Sequence, residues 1–237
     1  MRNKREHAMQ WKIWKTEKDK SPTLQKRMDA IEKFTQRKIK ENKNTQRKIS
    51  GEIITIPVVI HILYTNSTNN ISTAQIQSQL DVLNADFRRT NSDRTNKWSQ
   101  AADTQIEFKL ATIDPNGNPT TGVTRTSVSK STWDLQNQNT SNDMKKSSRG
   151  GVSRWNTSEY LNMWIVDKLT RGSGTILGFA QFPGGDASTD GVVMADQYFG
   201  TTGTAQSPFD GGRTTTHEVG HFLNLRHIWG DGTVWFR

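Results

Sequence analysis

The chain has 237 residues, enough for one substantial core with an extension. It contains no cysteine, which excludes disulfides, thiolate metal sites and cysteine nucleophiles. Net charge is +9, but residues 1–50 carry 16 Lys and Arg against 6 Asp and Glu, while the remainder carries 16 against 17. The excess is a basic, solvated leader on a neutral body, so no nucleic-acid partner is expected.

No apolar run approaches the ~20 residues of a membrane span. The charged N-terminus lacks the apolar stretch of a secretory signal peptide. Within residues 1–50, Met28, Ile31, Phe34 and Ile39 have loosely helical spacing. They are too few for a separate core, so this basic helical extension must dock elsewhere or stay unpacked. Composition changes at Ser50-Gly51, which divides the chain into 1–50 and 51–237.

Ile53 to Tyr64 is β-branched and apolar, the pattern of a buried strand, with Pro57 requiring a bulge or an edge position. Asn66 to Asn70 reads as a loop. Ser72 caps a helix, with Gln75 completing a capping box and Ile76, Leu80, Leu83 and Phe87 forming one apolar face. That helix is expected to end near Arg89. Ile106 to Thr112 is a second strand, followed by a turn at Asp114 to Gly117. Residues 124–158, rich in Ser, Thr, Asn and Lys, read as loop. Further strands are expected over 160–169, over 175–182 and over 191–195. Gly211-Gly212 precedes the last helix. The pattern is α+β: helices packed on a twisted, mixed sheet. His61, inside an apolar strand, reads as a hydrogen-bonded core residue, and Trp164 and Phe222 read as core.

Three of the five histidines lie within HEVGHFLNLRH, residues 217–227. His217 and His221 are one helical turn apart, so both imidazoles leave the same face and can share an ion. His227 lies six residues further on. It can join them only if the helix stops and the chain turns back, and Asn224 tolerates the left-handed conformation that this requires. Three neutral imidazoles suit one Zn2+ and leave a fourth position for water, the arrangement of a catalytic site. Glu218, beside the first ligand, is the candidate general base for that water, and a peptide carbonyl is the candidate electrophile. A rival zinc class takes a downstream Glu as third ligand. No Glu follows Glu218, so His227 is the better ligand.

HEVGHFLNLRH resembles the long zinc signature of metzincins, with Asn224 in place of the usual Gly. Thr214-Thr215-Thr216 before it and Ile228-Trp229-Gly230-Asp231 after it resemble the bacterial, cytophagalysin-like branch of the pappalysin family. Leu177-Gly178-Phe179-Ala180-Gln181-Phe182-Pro183 is similar to that family's substrate-binding edge strand, and Ile56-Pro57-Val58-Val59-Ile60-His61 to its first core strand. The resemblance implies a secreted zinc endopeptidase acting on polypeptides. It implies a pro-segment, here residues 1–50, and an upper subdomain of twisted sheet, backing helix and active-site helix. Gly178, Phe179, Ala180, Gln181 and Phe182 would bind substrate. Calcium enters by the resemblance alone. Members continue past the third histidine into a methionine turn and a lower subdomain. Ten residues follow His227, with no methionine after Met194, so the chain is expected to be a truncated member lacking that subdomain. The alternative expectation is an impaired remnant that binds zinc without proteolysis.

Overall fold

The computed structural model describes residues 21–45 and 52–227. The boundary expected at 50–51, His7 and the residues after His227 lie outside them. The described residues form α1 (Pro22–Thr45), β1 (Ile54–Tyr64), α2 (Thr73–Phe87), β2 (Ile106–Leu110), β3 (Val123–Ser127), β4 (Thr132–Asp134), β5 (Leu161–Val166), β6 (Lys168–Arg171), β7 (Gly174–Ile176), β8 (Gly178–Ala180), β9 (Val192–Ala195) and α3 (Arg213–Phe222).

The main sheet runs β2-β1-β5-β9-β8, with β3 also pairing with β1. All of its pairs are parallel except β8–β9. The sheet is therefore mixed, as expected. β1 is long enough for two short strands to share one of its sides, β2 along Ile54–Val58 and β3 along Ile60–Tyr64. Pro57 is tolerated because pairing with β5 begins only at Val58. On that side the missing N–H has no strand to bond, which makes this the expected edge position.

Both faces of the sheet are covered, and this accounts for the continuous apolar runs in β1, β5 and β9. On one face Ile60, Met163 and Met194 pack under α2 and α3, through Ile76, Leu80, Leu83, Phe87 and Val219. α2 starts at the expected Ser72 cap, whose Oγ accepts from Gln75 N at 3.1 Å, but the expected capping box does not close, because the Gln75 side chain turns inward to Asp196 O, Phe199 O and Thr204. On the other face Leu63, Trp164, Val166 and Val193 pack against Trp133, Leu135, Met144 and Leu169.

Three expectations are corrected. Residues 124–158 are not all loop: they hold β3, β4 and two short 3-10 turns, and Trp133 is a core residue only 1% exposed. Their polar composition follows from short strands that bury little: β3 has no fully buried residue and β4 has only Trp133. The runs 160–169 and 175–182 are each two strands. Each breaks where the chain leaves one sheet for the other, because β6 and β7 belong with β4 to a separate three-stranded sheet. Phe222, expected in the core, is half-buried against it.

His61 is fully buried, as expected of a core histidine. Its ring nitrogens contact Thr124 Oγ1 at 2.8 Å and Asn162 Oδ1 at 3.1 Å. α1 reaches the body through Leu24 and Met28, which pack on Phe182. Phe34 and Ile39, further along the helix, stay exposed.

Candidate metal centre

α3 carries His217 and His221 across the end of the sheet, against β8 and β9. After Phe222 the chain closes a Schellman turn. Leu225 N donates to Gly220 O at 2.8 Å, and Asn224 N donates to His221 O at 2.9 Å. Asn224 takes the left-handed conformation (φ 72°) that the sequence reading required. The turn sends the following residues back along the helix and brings His227 to the other two imidazoles.

The three Nε2 atoms form a small triangle. His221 lies 2.9 Å from His217 and 3.2 Å from His227, and His227 lies 3.3 Å from His217. At a zinc–nitrogen bond of about 2.05 Å, one face of a tetrahedral site has edges of about 3.3 Å. The observed triangle is close to that face. His221 Nδ1 lies 2.8 Å from the carbonyl of Leu225 and donates to it. Nε2 is therefore the ring nitrogen left to face the other two. This carbonyl is a functional partner that sequence reasoning missed; backbone acceptors leave no trace in residue type. A cleft of about 270 Å³ opens onto the triad, bordered by Gly220, Leu225 and Arg226.

Glu218 is 3% exposed, on the turn of α3 that holds His217. Of the five residues expected to bind substrate, β8 supplies Gly178, Phe179 and Ala180, and Gln181 and Phe182 follow it. β8 is the end of the main sheet. Leu177 O accepts from Ala195 N and Gln181 N donates to Gly191 O, so the odd-numbered residues bond inward to β9. By alternation the backbone groups of Gly178 and Ala180 face outward. The Gln181 side chain is engaged in its own loop, donating to Asp186 O at 2.9 Å and accepting from Thr189 Oγ1 at 2.7 Å. The Phe182 ring lies 4.9 Å from that of His221, so it stands against the histidine triad.

A convergent histidine triad on a helix behind a mixed sheet with an antiparallel edge strand defines a metzincin-type metalloprotease domain. The chain belongs to the pappalysin family: the family profile described as pregnancy-associated plasma protein-A matches residues 120–234. Mature mirolysin from Tannerella forsythia, solved with a cleaved peptide, is 50% identical at a TM-score of 0.69, covering 76% of this chain and 67% of that one. A promirolysin mutant from the same organism is 44% identical at a TM-score of 0.70, covering 88% and 69%. An extracellular metalloprotease of Arthroderma gypseum is 28% identical over 183 residues, 75% of this chain and 50% of its own length. The chain thus spans about half the length of the curated relatives it matches.

Proposed function

We propose that this chain is the zinc-binding part of a secreted endopeptidase that hydrolyses polypeptides. The observation that carries the reading is the triangle of three Nε2 atoms, close to the face of a tetrahedral zinc site. His217, His221 and His227 would hold the ion. Zinc, when bound, acidifies a coordinated water to a pKa of roughly 7 and polarises the scissile carbonyl. Glu218 would take a proton from the water as its oxygen bonds to the scissile carbonyl carbon, and would pass it to the amine nitrogen as the C–N bond breaks. An extended substrate pairs with the outward backbone groups of Gly178 and Ala180, and Phe182 keeps His221 out of bulk water.

Residues 1–50 serve as a pro-segment in this reading. α1 docks on Phe182, next to the metal centre, and the match to promirolysin covers more of this chain than the match to mature mirolysin. Secretion is inferred from relatives named extracellular metalloproteases. No helix among the described residues is long and apolar enough to cross a membrane.

The test measures bound zinc together with cleavage of a denatured protein, with and without chelator. One zinc per chain and chelator-sensitive cleavage are expected. Glu218→Gln should keep the zinc and lose at least a hundredfold in kcat, the scale of general acid–base catalysis. Zinc bound without chelator-sensitive cleavage would favour the impaired remnant instead.

A further inference from the structure

The active-site helix begins without a cap of its own. Gly212 precedes it in a left-handed conformation, and no Gly212 side chain exists to bond its first N–H groups. What fixes its start comes from α2. Gln79, fully buried, donates Nε2 to Gly212 O at 2.9 Å. Its Oε1 accepts from Thr215 Oγ1 at 2.8 Å and from Gly200 N at 2.7 Å. Two turns along α2, Asp86 Oδ2 accepts from Thr216 Oγ1 at 2.8 Å and pairs with Arg213 Nε at 2.9 Å. Val82 lies between them, and a Cβ at Gly212 would stand 3.1 Å from its side chain. Residues 79, 82 and 86 thus form one stripe of α2 against the start of α3.

These contacts grip residues 212, 213, 215 and 216, immediately before His217. Apolar packing of Val219 on the core sets how far α3 stands from the sheet, but it is non-directional and controls rotation poorly. Rotation is what the metal centre cannot tolerate. A turn of 10° swings a side-chain tip ~5–6 Å from the helix axis through ~1 Å, enough to spoil a tetrahedral set. Hydrogen bonds are directional, and two of them from separate points on α2 fix the angle.

We infer that Gln79 and Asp86 are positioning residues of the metal centre, setting the rotation of α3 at which His217 and His221 meet His227. The inference rests on the metal-binding reading above. The molecule supplies its own control. Gln75, one turn earlier on the same helix and equally buried, directs its amide to Asp196 O at 3.1 Å, Phe199 O at 2.8 Å and Thr204 Oγ1 at 2.9 Å. It holds the loop after β9 and makes none of its hydrogen bonds to α3.

The test uses the full chain, stripped of metal and reloaded, as wild type, Gln79→Leu, Gln75→Leu, Asp86→Ala and Asp86→Asn. Zinc affinity is read by competition with a chelating dye, coordination geometry by the visible absorption of the Co2+ form, and stability by the Tm of the metal-free protein. Gln79→Leu and Gln75→Leu should lower Tm comparably. Only Gln79→Leu should weaken zinc, by about tenfold, and shift the cobalt spectrum. Should Gln79→Leu fail to fold, the Asp86 pair decides: Asp86→Ala weakens zinc, and Asp86→Asn, which keeps an acceptor for Thr216, restores most of the affinity. Equal zinc affinity and an unchanged spectrum in Gln79→Leu or Asp86→Ala would overturn the inference while leaving the metal centre standing. Wild type that takes up no cobalt would overturn the metal reading and this inference together.

Discussion

Asp196 and His61 are buried titratable side chains that act on stability in opposite directions over nearly the same pH range. Asp196 follows β9, is 1% exposed, and its Oδ1 has no hydrogen-bond partner. Burial first, and then the charge of Asp167, push its carboxyl up to about 7. Between pH 4 and 7 the unfolded chain has released this proton and the folded chain keeps it, so stability falls as pH rises. Burial pulls His61 down to about 4, against the opposing bond from Asn162. Its contribution is present above pH 6.5 and is lost as pH falls towards 4. Each fully displaced group changes stability by about 1.4 kcal/mol per pH unit, so the two offset one another between pH 4 and 6.5. Asp196→Asn removes one side of that balance. The zinc-loaded variant should gain on wild type as pH rises from 4 to 7, reaching on the order of 2–4 kcal/mol. Thermal unfolding of both proteins across this range checks it, and a difference that does not vary with pH would mean that Asp196 ionises as an ordinary surface acid does. At this scale the sequence was informative where chemistry follows from spacing: the triad, the Asn224 turn and the core role of His61 were legible. The Leu225 carbonyl and the buried carboxyl of Asp196 were not, because one is backbone and the other owes its state to burial and to Asp167, 29 residues earlier in the chain.

β8 is three residues long, yet it is the element through which substrate would be held. Its short length follows from geometry: Leu177 carries the chain between two sheets, and Gln181 begins a loop tied by its own side chain to Asp186 and Thr189. The sequence showed one apolar run over 175–182. It could not show the transfer at Leu177, since local pattern does not reveal which sheet a strand joins. The same holds for the break at Asp167, and for β3 and β4, whose polar residues pair with partners far along the chain. The helices were more legible because their apolar periodicity is local. The outward N–H of Ala180 gives this element a clean test. Proline is tolerated at a strand edge where its missing N–H faces away from the sheet, so Ala180→Pro should fold and bind zinc as wild type does. It removes one backbone donor to a paired substrate. KM for a long peptide is expected to rise about tenfold with kcat nearly unchanged, the signature of lost uniform binding. A peptide too short to reach β8 should show no change.

At the scale of the molecule, the candidate metal centre would join α3 to the segment after it, which among the described residues is otherwise tied back by the three hydrogen bonds of the Asn224 turn. His217 and His221 belong to α3, which α2 and the sheet hold in place, whereas His227 reaches them only through the turn at Asn224. Leu225 within that turn is 61% exposed, so the turn itself contributes little to the core. An ion bound by all three imidazoles therefore closes a loop that packing leaves weakly tied, and its binding free energy becomes folding free energy. At free zinc a hundredfold above its dissociation constant the gain is about 2.7 kcal/mol. For a domain of this size that corresponds to a rise in Tm of about 5–10 °C. Removing the ion with chelator should lower Tm by that amount and expose the segment around Leu225 to protease before the rest of the chain. His221→Ala should have the lowered Tm from the outset and show no response to chelator. If chelation leaves Tm unchanged in wild type, the turn is held by something other than the ion, and His227 is not a third ligand.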